Sequence, residues 1–164
     1  MSGLNRSFPI YRESNTKLYV PRYFGEEKYG ILETKKIKDG DDINLSFNGE
    51  LFDYQNNIVS KFVNHVNKNK SGGGLLDVEP GKGKTVMALA ILCKLKKKVL
   101  IVVHKTFLMN QWEERIQQFI PNARVGKIQG PTIDIENKDI VLGMLQSLCR
   151  PNYDVSLFDC FGLS

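Results

Sequence analysis

The chain of 164 residues has room for one ordinary domain and a small appendage, and its 41% hydrophobic and 25% charged residues suit a globular protein with a sizeable core. The net charge of +5 is unevenly spread: residues 82–127 carry ten Lys/Arg against only Glu113 and Glu114, so polyanions are the expected partners of that stretch. No apolar run approaches the roughly 18 residues of a membrane span, and residues 1–14 lack a secretory pattern, so no membrane partner and an intracellular site are expected.

Residues 1–50 hold short extended segments, "KLYVPRYFG" and "YGILETKKI", divided by Gly25, Gly30, "KDGDD" and "FNGE". They predict a small β-rich N-terminal region of strands and turns. From Leu51 the pattern becomes α/β. Tyr54, Ile58, Phe62 and Val66 recur at spacing four, one face of a helix. "LLDV" (75–78) reads as a short apolar strand, residues 85–97 as an apolar helix, and "KVLIVV" (98–103) as a buried strand. Lysines of "KLKKK" (94–98) complement the dipole at that helix's end. Leu108, Trp112, Ile116 and Phe119 form the next helical stripe, stopped by Pro121, with Trp112 as core. "ARVGKIQ" and "DIVLGML" read as two more strands. The alternation predicts an α/β fold, a mostly parallel sheet with helices on both faces, over residues 51–164. The cysteines Cys93, Cys149 and Cys160 contain no CxxC pair and read as reduced thiols filling a core.

Chemistry concentrates at "VEPGKGKT" (78–85). The phosphate-loop pattern is G-x-x-x-x-G-K-[ST], which this stretch meets except that Val78 stands at the first glycine. Gly81 and Gly83 let the backbone turn and, with Lys82, present N–H groups to phosphate oxygens. A helix beginning near Thr85 points its positive end at the same anion. Lys84 would reach the β- and γ-phosphates, and the Thr85 hydroxyl would ligate Mg²⁺. ATP and Mg²⁺ are thus the expected cofactors, with Lys84 and Thr85 as the catalytic candidates. A bare phosphate loop also suits a small-molecule kinase, though no acceptor site is visible.

"VEPGKGKT" resembles motif I of superfamily 2 helicases and translocases, roughly (A/G)-x-x-G-x-G-K-T, with Val78 as the departure. "LFDYQ" resembles the "LRPYQ" element of the XPB-like branch, where a glutamine reads the adenine edge; that role would fall to Gln55, while Phe52 and Asp53 depart from the usual Arg and Pro. "VLIVVHKTFLMNQWEERIQQFIP" looks like motif Ia, with His104 for the usual Pro, and Gln111 and Trp112 match the family's "QW" pair. The resemblance implies nucleic-acid backbone contacts at His104, Lys105 and Thr106. "VGKIQG" resembles motif Ib, with Gly130, and "DIVLGMLQSL" the following segment, which would place Gln146 and Ser147 beside the tracked strand. Such contacts suit sequence-independent binding. "MLQSL…YDVSLFDCFGLS" looks most like helicases of large DNA viruses, and the ordered motifs imply a partial RecA-like lobe.

The family's next element, a strand ending in Asp-Glu, has no counterpart here. "SLFD" ends at Asp159, but Cys160 follows where Glu is needed. The resemblance therefore implies the N-terminal part of an ATP-dependent DNA helicase (RNA being the other substrate class), ending before its acidic box and poor at hydrolysis alone. It further implies a nuclear site, or host cytoplasm and virion if viral, with transcription or repair machinery as partner. A non-catalytic nucleic-acid-binding module is the rival reading.

Overall fold

The computed structural model describes residues 9–30, 39–68, 73–149 and 155–161. They belong to two compact units divided between Lys36 and Ile37.

In the first unit, β1 (Arg12–Glu13) pairs antiparallel with β2 (Leu18–Tyr19). The turn is closed by the Ser14 N–H, which donates to the Lys17 carbonyl at 2.8 Å, and by the Lys17 N–H, which donates to the Ser14 hydroxyl at 3.0 Å. The expected extended run does not continue through "PRYFG". Residues Arg22–Tyr29 form helix α1, entered from Pro21 and ended at Gly30, where φ is 86°. Proline's fixed φ suits a helix start, and the Arg22–Glu26 ion pair at 3.1 Å ties one helical turn to the next. Most of "YGILETKKI" lies outside the described residues.

Among the described residues, the sheet of the second unit has the strand order β3-β6-β4-β5. Strands β3 (Val99–Val103), β6 (Ile140–Met144) and β4 (Val125–Gln129) run parallel, and the short β5 (Thr132–Ile133) turns back antiparallel on β4. The central strand β6 is buried along Ile140–Gly143, as a strand covered on both faces must be. One face is covered by α3 (Lys84–Leu95) and α4 (Thr106–Phe119), whose Leu89, Leu92, Met109 and Ile116 pack with Val103, Ile140 and Leu142. The other face receives α5 (Leu145–Leu148) and a 3-10 helix (Val155–Phe161) through Leu148, Leu157 and Phe161. Helix α2 (Asp53–Lys68) packs outside α3 through Val59, Met87 and Ile91. Each fully buried aliphatic side chain contributes about 1.5–3 kcal/mol. The fold is a mixed α/β, partial RecA-like lobe, with the small antiparallel pair before it.

Four local expectations need correction. "LLDV" forms no strand: Leu76 and Val78 pack against the α2–α3 cluster, and Leu75 is 90% exposed. The α2 stripe is rotated, because Gln55 and Val59 are its buried residues while Tyr54 is 42% exposed. Cys93 is buried but Cys149 is exposed, since it follows α5 at the surface. Residues 39–50, assigned by composition to the N-terminal region, lie in the second unit. Ile43 and Leu45 enter its core, the Ile43 N–H donates to the Lys96 carbonyl at 3.0 Å, and the Lys98 N–H donates to the Asp41 carbonyl at 2.8 Å.

Candidate functional site

Helix α3 passes into β3 through three residues, so it runs back along the sheet and its N-terminus stands at the carboxyl end of the strands. Open α/β sheets bind ligands at that edge. The loop there turns through Gly81 at φ 81° and Gly83 at φ 79°, both in the left-handed region. Nothing lies within 4 Å of where a Gly81 Cβ would be, so this position needs glycine for conformation. Gly83 needs it twice, since its Cβ would stand 2.5 Å from Gln55 Nε2. No side chain caps α3, leaving N–H groups and the positive dipole end directed outward. Lys82 and Lys84 are exposed, Thr85 is half-buried, and Lys84 has no carboxylate partner among the described residues. Free donors, a helix dipole and cations meeting at one loop make a seat for a polyphosphate.

Gln55 is 4% exposed and braces this loop. Its Nε2 donates to the Lys82 carbonyl at 3.1 Å, and its Oε1 accepts the Phe52 N–H at 3.0 Å. The Tyr54 hydroxyl donates to the same Lys82 carbonyl at 3.2 Å. The Gln55 carboxamide, which the resemblance assigns to the adenine edge, here holds the 81–85 loop against α2. A spacing argument does not foresee this, because the bonds join residues 27 and 28 apart.

The loops after β3 and β6 stand at the same carboxyl edge. His104, Lys105 and Thr106 are exposed, as is Gln146, whose amide donates to the His104 carbonyl at 2.9 Å and joins the two loops. Gly130 turns the chain from β4 to β5 at φ 58°, and its N–H donates to the Ser147 hydroxyl at 2.8 Å. Ser147 is buried, so its hydroxyl secures that turn and does not present itself to solvent. The exposed set at this edge is therefore His104, Lys105, Thr106 and Gln146.

Asp159 lies elsewhere. It belongs to the 3-10 helix, whose Cys160 carbonyl accepts the Asp41 N–H at 2.8 Å and whose Phe161 ring sits 5.4 Å from Lys98 Nζ. Lys98 precedes β3, so Asp159 stands towards the amino edge of the sheet, away from Thr85. Among the described residues no group of three His, Cys, Asp or Glu could hold a metal ion. A cleft of about 630 Å³ is lined by Leu45, Phe47, Ala90 and Cys93, and the phosphate loop is not among its walls. Burial there pushes the Cys93 thiol up to about 11. At the amino edge, Asp139 accepts from Arg124 Nε at 3.0 Å and Nη2 at 2.6 Å and from its backbone N–H at 2.9 Å. The side-chain hydrogen bond from Arg124 holds this carboxyl below the usual range.

The family described as type III restriction enzyme, res subunit, matches residues 48–160. A protein of Acanthamoeba polyphaga mimivirus, provisionally named an ATP-dependent RNA helicase, is 33% identical over 161 residues, covering 97% of this chain and 30% of its own. A provisionally named helicase of Invertebrate iridescent virus 6 is 39% identical over 77 residues, 47% of this chain and 17% of its own. A protein of Haloarcula marismortui, provisionally named a DNA 3'-5' helicase, is 28% identical over 97 residues, 59% of this chain and 15% of its own. The chain therefore spans less than a third of the length of these relatives. With two thirds of its residues matched, the phosphate loop among them, the chain belongs to the type III restriction enzyme res subunit family, alongside viral proteins named as helicases.

Proposed function

We propose that the chain is the nucleotide-binding portion of an ATP-dependent superfamily 2 helicase or translocase. MgATP is held at residues 81–85, and nucleic acid is tracked along the loops after β3 and β6. The observation that carries this reading is the uncapped N-terminus of α3 behind two left-handed glycines, with exposed Lys84 at its first position. The residues fit a triphosphate: Gly81, Lys82 and Gly83 supply backbone N–H groups, Lys84 reaches the β- and γ-phosphates, and Thr85 offers a hydroxyl to Mg²⁺. Gln55 serves the cofactor by fixing the Lys82 carbonyl. His104, Lys105, Thr106 and Gln146 meet the nucleic-acid backbone, with Gly130 and Ser147 shaping the turn beside them.

Asp159, in the 3-10 helix towards the amino edge of the sheet, does not serve Mg²⁺ at Thr85. This chain should bind MgATP and hydrolyse it poorly, while a polypeptide of the relatives' length should be a nucleic-acid-stimulated ATPase. DNA is the proposed substrate, and the stimulation assay run with DNA and with RNA decides between them. Lys84→Ala tests the nucleotide site: calorimetry should show MgATP binding lost, with circular dichroism unchanged because the side chain is exposed. Affinity equal to the unmodified chain would defeat the assignment.

A further inference from the structure

In the first unit the aromatic side chains have no core to enter. Among residues 9–30 none is buried, and Tyr11, Tyr19, Tyr23, Phe24 and Tyr29 are 48–69% exposed. Exposed apolar surface of this density marks a place where something binds. The unit is also basic, since residues 1–36 hold seven Lys/Arg against four Asp/Glu. Local geometry sets rings beside cations. Arg12 and Tyr19 are opposite residues of the β1–β2 pair, so their side chains share one face, while Glu13, opposite Leu18, belongs to the other. Phe24 and Lys28 stand one turn apart on α1 and share a face of that helix. Glu26 is engaged by Arg22 at 3.1 Å. The two elements are held in place: the Ser14–Lys17 bonds close the hairpin, and a Cβ on Gly25 would stand 3.2 Å from Val20 Cγ2, so α1 lies close against the residue that follows β2.

We propose that the first unit is a separate binding site for single-stranded nucleic acid, with Tyr19 and Phe24 stacking on bases and Arg12 and Lys28 meeting the phosphates. Rings set beside cations suit a ligand that itself alternates an aromatic plane with an anion. Charge complementarity selects a polyanion, and the open rings select unpaired bases, because in a duplex the bases already stack on one another. Every base has a π-face, so the site grips without reading sequence. It belongs to the first unit and rests on neither the phosphate loop nor the loops after β3 and β6.

The test follows a fluorescein-labelled oligothymidylate of about 12 nucleotides by anisotropy, with the whole chain at low salt. Tyr19→Ala and Phe24→Ala should each weaken binding about tenfold, within the range of one base–aromatic stack. Tyr19→Phe should keep the affinity, because the ring remains. Melting temperatures should not move in any of the three, since both side chains are exposed. In Tyr19→Trp the added indole should be quenched by the oligothymidylate and not by a hairpin duplex of equal charge. Affinity unchanged in both alanine variants, or lost equally in Tyr19→Phe, overturns the site and leaves the loops after β3 and β6 untouched. A dimer in sedimentation that Tyr19→Ala abolishes would assign these rings to a second copy of the chain and overturn the proposal too.

Discussion

Gly83 shows how one residue can carry two constraints. An alanine there meets the cost of a left-handed φ, about 1–2 kcal/mol, and also drives its Cβ onto Gln55 Nε2. Gly81 carries only the first. Urea unfolding should therefore show Gly83→Ala less stable than Gly81→Ala, and only the former should release Gln55 from Lys82. Equal losses would mean that the Gln55 brace is slack. The cysteines make a second contrast: thiolate is the reactive form, and Cys93 is both buried and raised to about 11, while Cys149 is exposed. Iodoacetamide at neutral pH should label Cys149 well before Cys93, as read by peptide mass spectrometry.

At the scale of elements, Asp139 joins the approach to β4 to the start of β6. It accepts three hydrogen bonds from Arg124, and its own N–H donates to the Arg124 carbonyl at 2.9 Å. Because the folded carboxyl is held below its ordinary value, its stabilisation is complete above about pH 3.9 and is lost as pH falls through the depressed value. Asp139→Asn should cost about 1–2 kcal/mol at neutral pH, trimmed because the Arg124 side chain is 62% exposed, and should flatten the acid limb of the stability curve. Strand β4 carries a tighter restriction. A Cβ on Gly126 would collide with the Asp134 backbone carbonyl, which a side-chain adjustment does not relieve. Deleting the fully buried Leu142 of β6 to alanine should cost about 2–5 kcal/mol.

For the whole molecule, the point at which the second unit begins makes a prediction by truncation. Residues 37–164 should keep a cooperative thermal transition and MgATP binding, because the second unit is compact in itself and contains Ile43 and Leu45 of its core. Residues 51–164 should lose stability sharply, since Ile43, Leu45 and the Asp41–Lys98 backbone bond go with the excised segment. Equal melting temperatures for the two would restore the boundary at residue 50. Nucleic-acid binding by the chain should be weak and insensitive to sequence. Each phosphate neutralised should add about 0.9 to the slope of log affinity on log salt. Binding that survives high salt would point instead to contacts with bases.

The sequence by itself determined what depends on short-range pattern: the helices at α2, α3 and α4, the strands β3, β4 and β6, and the glycine turn at 81–83. Apolar periodicity and glycine placement are local properties, and at Gly81–Gly83 they dictate the backbone directly. Tertiary structure decided what depends on distant partners. Gln55 became a buried brace because the Lys82 carbonyl, far along the chain, accepts its amide. Ser147 turned inward because the Gly130 N–H needed an acceptor. Leu75–Val78, apolar enough for a strand, instead packs Leu76 and Val78 against the α2–α3 cluster, and Ile43 and Leu45 joined a core that composition had placed after residue 50. Hydrogen bonds and ladders need two partners, and sequence periodicity records only one of them.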